Sequence, residues 1–176
     1  MSEQLVMTAL GQDRPGIVDT LGAALASRQL NIEDSRMSVL GGEFAVMLLI
    51  RGESAAIDEF LADLPALEDE LGMRLMARPT APPTERTDLV PCRVDAVAMD
   101  HPGIVHELAR FFSQRGINIV ELETESQPAA HTGTPMFSMR MIIGVPADQS
   151  IARLRDAFLA HCDEVNLDAT LTVLGR

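Results

Sequence analysis

The chain has 176 residues, of which 47% are apolar, so it can bury the core of one ordinary domain or of two small ones. Its formal charge of −12 and its lack of Trp and Tyr argue against a nucleic-acid-binding surface, which needs clustered basic residues and stacking aromatics. The N-terminus has no signal-like segment, and no apolar run approaches the ~20 residues that cross a bilayer. We therefore expect a cytoplasmic protein.

The first half of the chain is predicted to be strand, helix, strand, strand, helix, strand. A strand at 5–10 precedes the hexapeptide DRPGIV at 13–18, after which apolar residues recur at helical spacing. Gln29 stands where that helix ends, so we expect the turn there to be slightly strained or built differently. The next hairpin contains the segment 44–50, FAVMLLI, which is apolar on both faces, so we expect another sheet, helix or subunit to cover its outer face. Ser54 is the predicted cap of the second helix.

The second half repeats this pattern. The hexapeptide DHPGIV at 100–105 lies 87 residues after the first, and the same offset aligns Asn31 with Asn118. Here Gly116 is placed to end the first helix in the left-handed conformation, and Asp148 is the predicted cap of the second. The second hairpin, 127–136, is about six residues longer than the first.

A segment rich in proline separates the two copies, with Pro79, Pro82, Pro83 and Pro91 predicting an extended linker without regular structure. We therefore predict a first domain at 1–80, a linker at 81–90 and a second domain at 91–176. The fold class is α+β, with two tandem ferredoxin-like βαββαβ units, each a four-stranded antiparallel sheet with helices on one face.

The hexapeptide has two interpretations. Pro15 suits the first position of a helix, Asp13 and Asp100 can cap its first turn, and Gly16 and Gly103 leave room for a close approach. The free N–H groups and the helix dipole would then suit a small carboxylate. A strand-to-helix turn without a ligand explains the same residues equally simply.

A βαββαβ unit that opens with DRPGIV or DHPGIV and returns through LNI or GINI resembles the ACT domain, a regulatory module that commonly binds amino acids. The resemblance covers about 3–78 and 90–174, and the tandem arrangement resembles the glycine cleavage system transcriptional repressor family. It implies a ligand at a seam between two units, held by the loop after the first strand and by the Asn before the second. The implied ligand-binding residues are Asp13, Arg14, Pro15, Gly16, Ile17 and Asn31 in the first unit, and Asp100, His101, Pro102, Gly103, Ile104 and Asn118 in the second. Because Arg14 is always charged whereas His101 titrates near neutral pH, we expect unequal sites, the Arg14 loop binding anions better.

The resemblance also implies a mode of action: allosteric repression through contact with a LysR-type transcriptional activator, modulated by a small amino acid such as glycine, without direct contact with nucleic acid or membrane. We expect a homo-oligomer or a pairing of the two units. The alternatives are a ligand-independent adaptor, which would grip its partner with the outer sheet face or the 127–136 loop, and a regulatory subunit of an amino-acid metabolic enzyme.

The sequence predicts no catalytic, metal or cofactor site. Cys92 and Cys162 are expected to be buried reduced thiols rather than a disulfide or metal ligands. Three acids at alternate positions, Glu121, Glu123 and Glu125, indicate a solvated strand face. The histidines His101, His106, His131 and His161 lack the spacing of metal ligands.

Overall fold

The computed structural model of the protein describes residues 2–81, 88–130 and 132–175. The chain divides into two compact units, 1–84 and 85–176, each with the predicted order of elements. The elements of the first unit are β1 Ser2–Gln12, α1 Ile17–Ala26, β2 Asn31–Leu40, β3 Glu43–Glu53, α2 Ser54–Leu71 and β4 Arg74–Thr80. Those of the second are β5 Leu89–Met99, α3 Ile104–Ser113, β6 Asn118–Pro128, β7 Pro135–Pro146, α4 Ile151–Glu164 and β8 Asp168–Val173.

Each unit forms one four-stranded sheet, in the order β2-β3-β1-β4 or β6-β7-β5-β8, with antiparallel pairing throughout. This arrangement confirms the predicted tandem ferredoxin-like α+β fold. The first residues of β2 and β6 each contain a β-bulge, between Ile32 and Asp34 and between Ile119 and Glu121. None of the helices in the described ranges is long and apolar enough to cross a membrane.

The two helices of each unit cover one face of its sheet, and each unit has its own apolar core. In the first unit, alternate residues of β1 and β3, such as Leu5, Met7 and Ile50, are fully buried. In the second unit, Phe111, Phe112 and Phe158 form an aromatic cluster with ring centroids 5.1–5.4 Å apart. Aromatic contacts of this kind add to the stability gained from burial alone.

The opposite face of each sheet, which we call the open face, carries no helix of its own unit. On β3 the residues that alternate with the core residues point to this face, and Met47 there is 49% exposed. The prediction that another sheet, helix or subunit covers this face remains a prediction.

The helix ends confirm one prediction and correct another. Gln29 and Gly116 follow the first helix of each unit and both have positive φ values, 57° and 68°. This backbone conformation is uncommon for a residue other than glycine, so the turn at Gln29 is strained, as expected. The predicted caps Ser54 and Asp148 are wrong. The cap positions are Glu53, whose side chain makes no capping bond, and Ser150, whose Oγ accepts from the Arg153 N–H at 3.4 Å. Glu53 and Ser150 are the last residues with extended backbones, so α2 begins one residue earlier than predicted and α4 two residues later.

The predicted linker is partly replaced by strand. Pro79 lies within β4 and Pro91 within β5, although both were expected to lack regular structure. β4 is an edge strand, where proline is tolerated because one side of the strand needs no N–H donor. Pro91 lies just beyond the part of β5 that pairs with β8. Residues 82–87 of the linker, including Pro82 and Pro83, lie outside the described residues.

Candidate functional site

The two hexapeptide loops have the same backbone conformation. Gly16 has φ 95° and ψ −10°, and Gly103 has φ 103° and ψ −11°, so both occupy a region that favours glycine. Pro followed by a Gly with these angles is the signature of a type II turn. The helices begin after the turn, at Ile17 and Ile104.

This geometry corrects two predictions. Pro15 is not the first residue of a helix, and neither Asp13 nor Asp100 caps the first turn, because Gly16 and Gly103 occupy the cap position without any side-chain capping bond. A Cβ built on Gly16 would have no neighbour within 4 Å. Glycine is therefore required for its backbone angle, and the surface beside it is open.

Each loop is fixed to the neighbouring hairpin by one backbone hydrogen bond. The Asp13 N–H donates to the Gly42 carbonyl at 3.0 Å, and the Asp100 N–H donates to the Pro135 carbonyl at 2.9 Å. The helix dipole then presents its positive end to solvent at each loop, which favours a small anion. Asp19 and Glu107 in the first helical turns partly offset this effect.

Arg14 points away from its own helix start. Its guanidinium donates to the carbonyl of Leu71 at 3.0 Å and of Glu70 at 3.5 Å, at the C-terminus of α2. A cation there satisfies carbonyls that have no partner within the helix and interacts favourably with the dipole. Arg14 therefore has a structural role in the first unit, and the prediction that it makes its loop the better anion site is not supported by this contact.

The second loop has a different set of contacts. The Ser126 hydroxyl donates to the Asp100 carboxylate at 2.5 Å, and the His101 Nδ1 lies 3.2 Å from the Pro102 carbonyl oxygen. The β2 residue aligned with Ser126 is Val39, because these two residues pair with the equivalent Phe137 and Phe44. Asp13 therefore receives no such hydroxyl bond. Ser126 is a residue that sequence reasoning missed, since only the strand register brings it to the loop.

Some predicted ligand contacts are core residues. The side chains of Ile17 and Ile104 are each only 2% exposed and belong to the apolar cores. Their side chains cannot contact a ligand from solvent, so only their backbone N–H groups remain available. Pro15 and Pro102 are exposed beside them.

The predicted asparagines are not brought to the loops of their own units. Asn31 pairs with Arg51, whereas the Asp13 loop bonds to the hairpin that opens at Glu43. Eight strand residues separate these two points on β3, which is about 27 Å. Asn118 lies in the same way beside Gly144, far from the Pro135 end of β7. A small ligand bound within one unit therefore cannot contact both the hexapeptide loop and the asparagine of that unit. The predicted combination of loop and asparagine contacts applies only to a ligand that reaches more than one unit.

Each unit has an open groove, which lies between its two helices and not at the hexapeptide loop. Their volumes are about 610 Å³ between α1 and α2 and about 490 Å³ between α3 and α4, and neither is lined by a hexapeptide residue before the helix start. The first is crossed by the Arg28–Asp63 ion pair at 2.5 Å. In the second, the Arg115 guanidinium lies 3.6 Å from the centre of the Phe111 ring. The Arg28–Asp63 pair joins the end of α1 to α2, whereas the Arg115–Phe111 contact lies within α3 and the turn that follows it.

The remaining candidates behave as structural groups. Cys92 and Cys162 are free and buried, as predicted. Glu121, Glu123 and Glu125 lie on the open face, where Glu123 is 3.8 Å from Arg140. No cluster of three metal-ligating side chains occurs in the described ranges, and His131 lies outside them.

Comparison with known proteins places this geometry in a family. The ACT domain family model matches residues 3–78. The chain is 35% identical over 175 residues to the glycine cleavage system transcriptional repressor of Escherichia coli. The alignment covers 97% of this chain and 90% of that protein.

Solved structures agree over the full length. A crystal structure assigned to a glycine cleavage system transcriptional repressor has a TM-score of 0.76 at 26% identity, and covers 100% of this chain and 99% of its own. A protein of unknown function from Galdieria sulphuraria has a TM-score of 0.83 at 28% identity and covers 99% of this chain and 100% of its own. The chain belongs to the family of tandem ACT-domain proteins that includes the glycine cleavage system transcriptional repressor.

Proposed function

We propose that the protein is a non-enzymatic regulator that binds a small amino acid, glycine being the first candidate, and modulates a LysR-type transcriptional activator of the glycine cleavage system by protein–protein contact. The observation that carries this proposal is the similarity to the Escherichia coli repressor over 97% of the chain. A net charge of −12 agrees with a protein that contacts another protein rather than the promoter.

The loops supply the groups that an amino acid needs. The start of α1 offers backbone N–H groups without a side-chain cap, which suit the ligand carboxylate. Asp13 is exposed beside them, and its carboxylate can accept from the ligand ammonium. The Asp100 carboxylate already accepts from Ser126, so the second loop is less free to do so. We therefore keep the prediction of two unequal sites, the first loop being the stronger, but with Asp13 rather than Arg14 as the reason.

The mechanism is a population shift. A ligand that contacts one arrangement of the units more favourably than another changes the fraction of molecules competent to bind the activator. The change in activator affinity cannot exceed the ligand's own difference in affinity between the two arrangements.

Isothermal titration calorimetry with glycine, serine and alanine at millimolar concentration tests the ligand. We expect glycine to give heat at two unequal sites, and Asp13→Asn to weaken the stronger site about fivefold through the loss of a charge-assisted bond. Asp58→Asn, which removes the same charge at an exposed position of α2 away from the loops, is the control and should leave binding unchanged. No heat, or equal effects of the two variants, would contradict the loop site.

A pull-down of the purified LysR-type activator, with and without glycine, tests the partner. We expect glycine to change the bound fraction. Binding that is indifferent to every amino acid tested would favour the ligand-independent adaptor, and absence of binding would remove the transcriptional role.

A further inference from the structure

The open faces of the two sheets differ in chemistry. In the first unit this face exposes large apolar side chains, and the exposed fractions are 54% for Leu10, 49% for Met47 and 66% for Met76. In the second unit the aligned part of the face carries charged residues that pair with one another, since Asp95 lies 3.0 Å from Arg93 and 3.5 Å from Arg140. Charge pairs thus occupy the aligned part of the second face, whereas the first exposes apolar side chains at its centre, on β1 and β3, between charged residues of β2 and β4.

The strand register arranges the first open face in rows that run across the sheet from β2 to β4. The rows are Asp34–Leu49–Val6–Arg78, Arg36–Met47–Thr8–Met76 and Ser38–Ala45–Leu10–Arg74. A two-fold axis parallel to the strands would place each row opposite its own copy, reversed from end to end. Leu10 would then face Ala45 of the second copy, and Met47 would face Thr8, so that a large side chain meets a small one.

The charges at the ends of one row are complementary under the same operation. Asp34 stands at the β2 end and Arg78 at the β4 end, so each would meet the opposite charge of the second copy. Arg78 has no ion-pair partner among the described residues, whereas Asp34 lies 2.6 Å from Arg36 in an exposed pair. Exposed pairs of this kind contribute little by themselves, so Asp34 can accept a second cation at small cost.

We propose that the occupant of this face is a second copy of the same chain, joined sheet to sheet through the first unit about a two-fold axis parallel to its strands. Face-to-face sheets pack about 10 Å apart with strands nearly aligned, and an isologous contact of this type closes as a dimer. This inference goes beyond the regulatory function and is independent of it, because the oligomeric state is measured without amino acid or activator.

The area of the open face of the first unit sets the expected affinity of the dimer. Four strands about 4.8 Å apart and a length of about 27 Å give a footprint of about 500 Å² per copy. Two such footprints total about 1,000 Å², at the low end of specific interfaces, where association is reversible. We therefore expect a dimer that dissociates on dilution.

Sedimentation velocity of the full chain at physiological ionic strength tests the proposal. Protein concentrations from roughly 1 to 500 μM cover the range in which a weak dimer dissociates. We expect the mass to rise from 19.1 kDa toward twice that value with concentration. Leu10→Asp should hold the chain at the monomer mass. The matched control is Val97→Asp, at the aligned position on β5 with an exposed fraction of 45%, which should leave the association unchanged.

A charge exchange tests the axis. Asp34→Arg alone and Arg78→Asp alone should each weaken the dimer affinity at least tenfold. Each substitution places like charges opposite each other at both ends of the two-fold interface. An equimolar mixture of the two variants should restore dimers, because both contacts in the mixed dimer are then complementary. A wild-type chain that stays monomeric throughout, or equal behaviour of Leu10→Asp and Val97→Asp, would overturn the proposal and leave the face to a different protein. Failure of the mixture to associate would overturn the two-fold arrangement.

Discussion

At the residue scale, Gly16 and Gly103 determine how each loop enters its helix. Their carbonyl groups accept the first helical hydrogen bonds, from Thr20 at 2.9 Å and from Glu107 at 3.0 Å, while their φ values remain positive. A side chain at such a φ meets its own backbone, whatever space surrounds it. The loop geometry therefore depends on glycine, which has no Cβ, at positions 16 and 103.

Two substitutions of the same type should have opposite effects on stability. Gly16→Ala is expected to lower the free energy of unfolding by about 1–3 kcal/mol, because alanine is strained at this φ. Gly22→Ala, in the middle of α1 with no atom near the new Cβ, is expected to raise it by up to about 1 kcal/mol through higher helix propensity. Urea denaturation of both variants measures the difference. A stabilising Gly16→Ala would show that the turn tolerates a side chain.

At the scale of the elements, α4 is held to its sheet by a buried stripe that includes Leu154, Phe158 and Cys162. Burial raises the pKa of the Cys162 thiol to about 11, and the negative charge of Asp163 adds to the rise. Burial also raises the pKa of Cys92 in β5. The neutral thiol is thus the form compatible with the packed helix.

This shift predicts how stability depends on alkaline pH. Because the folded pKa of Cys162 lies above the ordinary value of 9.0, its contribution is fully present below pH 9 and is lost as the pH rises from 9 to about 11. The chain contains no Tyr, and every one of its basic side chains other than His is Arg, so few other groups titrate in this range. Urea denaturation at several pH values should show the decline, and Cys162→Val should reduce it. A decline of equal size in that variant would assign the effect elsewhere.

The order of the elements could be predicted from the sequence because two copies with the same periodicity support each other. The alternation of Phe137, Met139 and Met141 with polar residues was enough to place β7. The site was less predictable, since Pro15–Gly16 suits both a helix start and a type II turn, and only the backbone angles separate the two. The contacts of Arg14 with α2 and of Ser126 with Asp100 join residues distant in sequence, which no local pattern reveals.

At the scale of the whole molecule, the chain contains two separate apolar cores. Phe60 is 1% exposed in the first, and Phe158 is fully buried in the second. Each core draws its residues from one unit only. A domain with its own core can in principle fold by itself, so we propose that the predicted division into two domains is also a division in stability.

Differential scanning calorimetry of two core variants tests this division. Phe60→Ala and Phe158→Ala should each lower the free energy of unfolding of the unit that carries the substitution by about 3–5 kcal/mol. We expect each variant to lower the midpoint of a different transition and to leave the other in place. A single transition that both variants shift together would show that the units unfold as one.

The bulges at the starts of β2 and β6 affect how the sheet borders behave. Both strands are borders of their sheets, exposed along most of their length, and their unpaired backbone groups are a potential template for an incoming strand. The extra residue, Glu33 or Val120, bends the border at one end and interrupts the regular spacing of its donors and acceptors. Growth of a continuous fibril-like sheet along this border is thereby hindered, which helps to keep a protein with exposed methionines and leucines in solution.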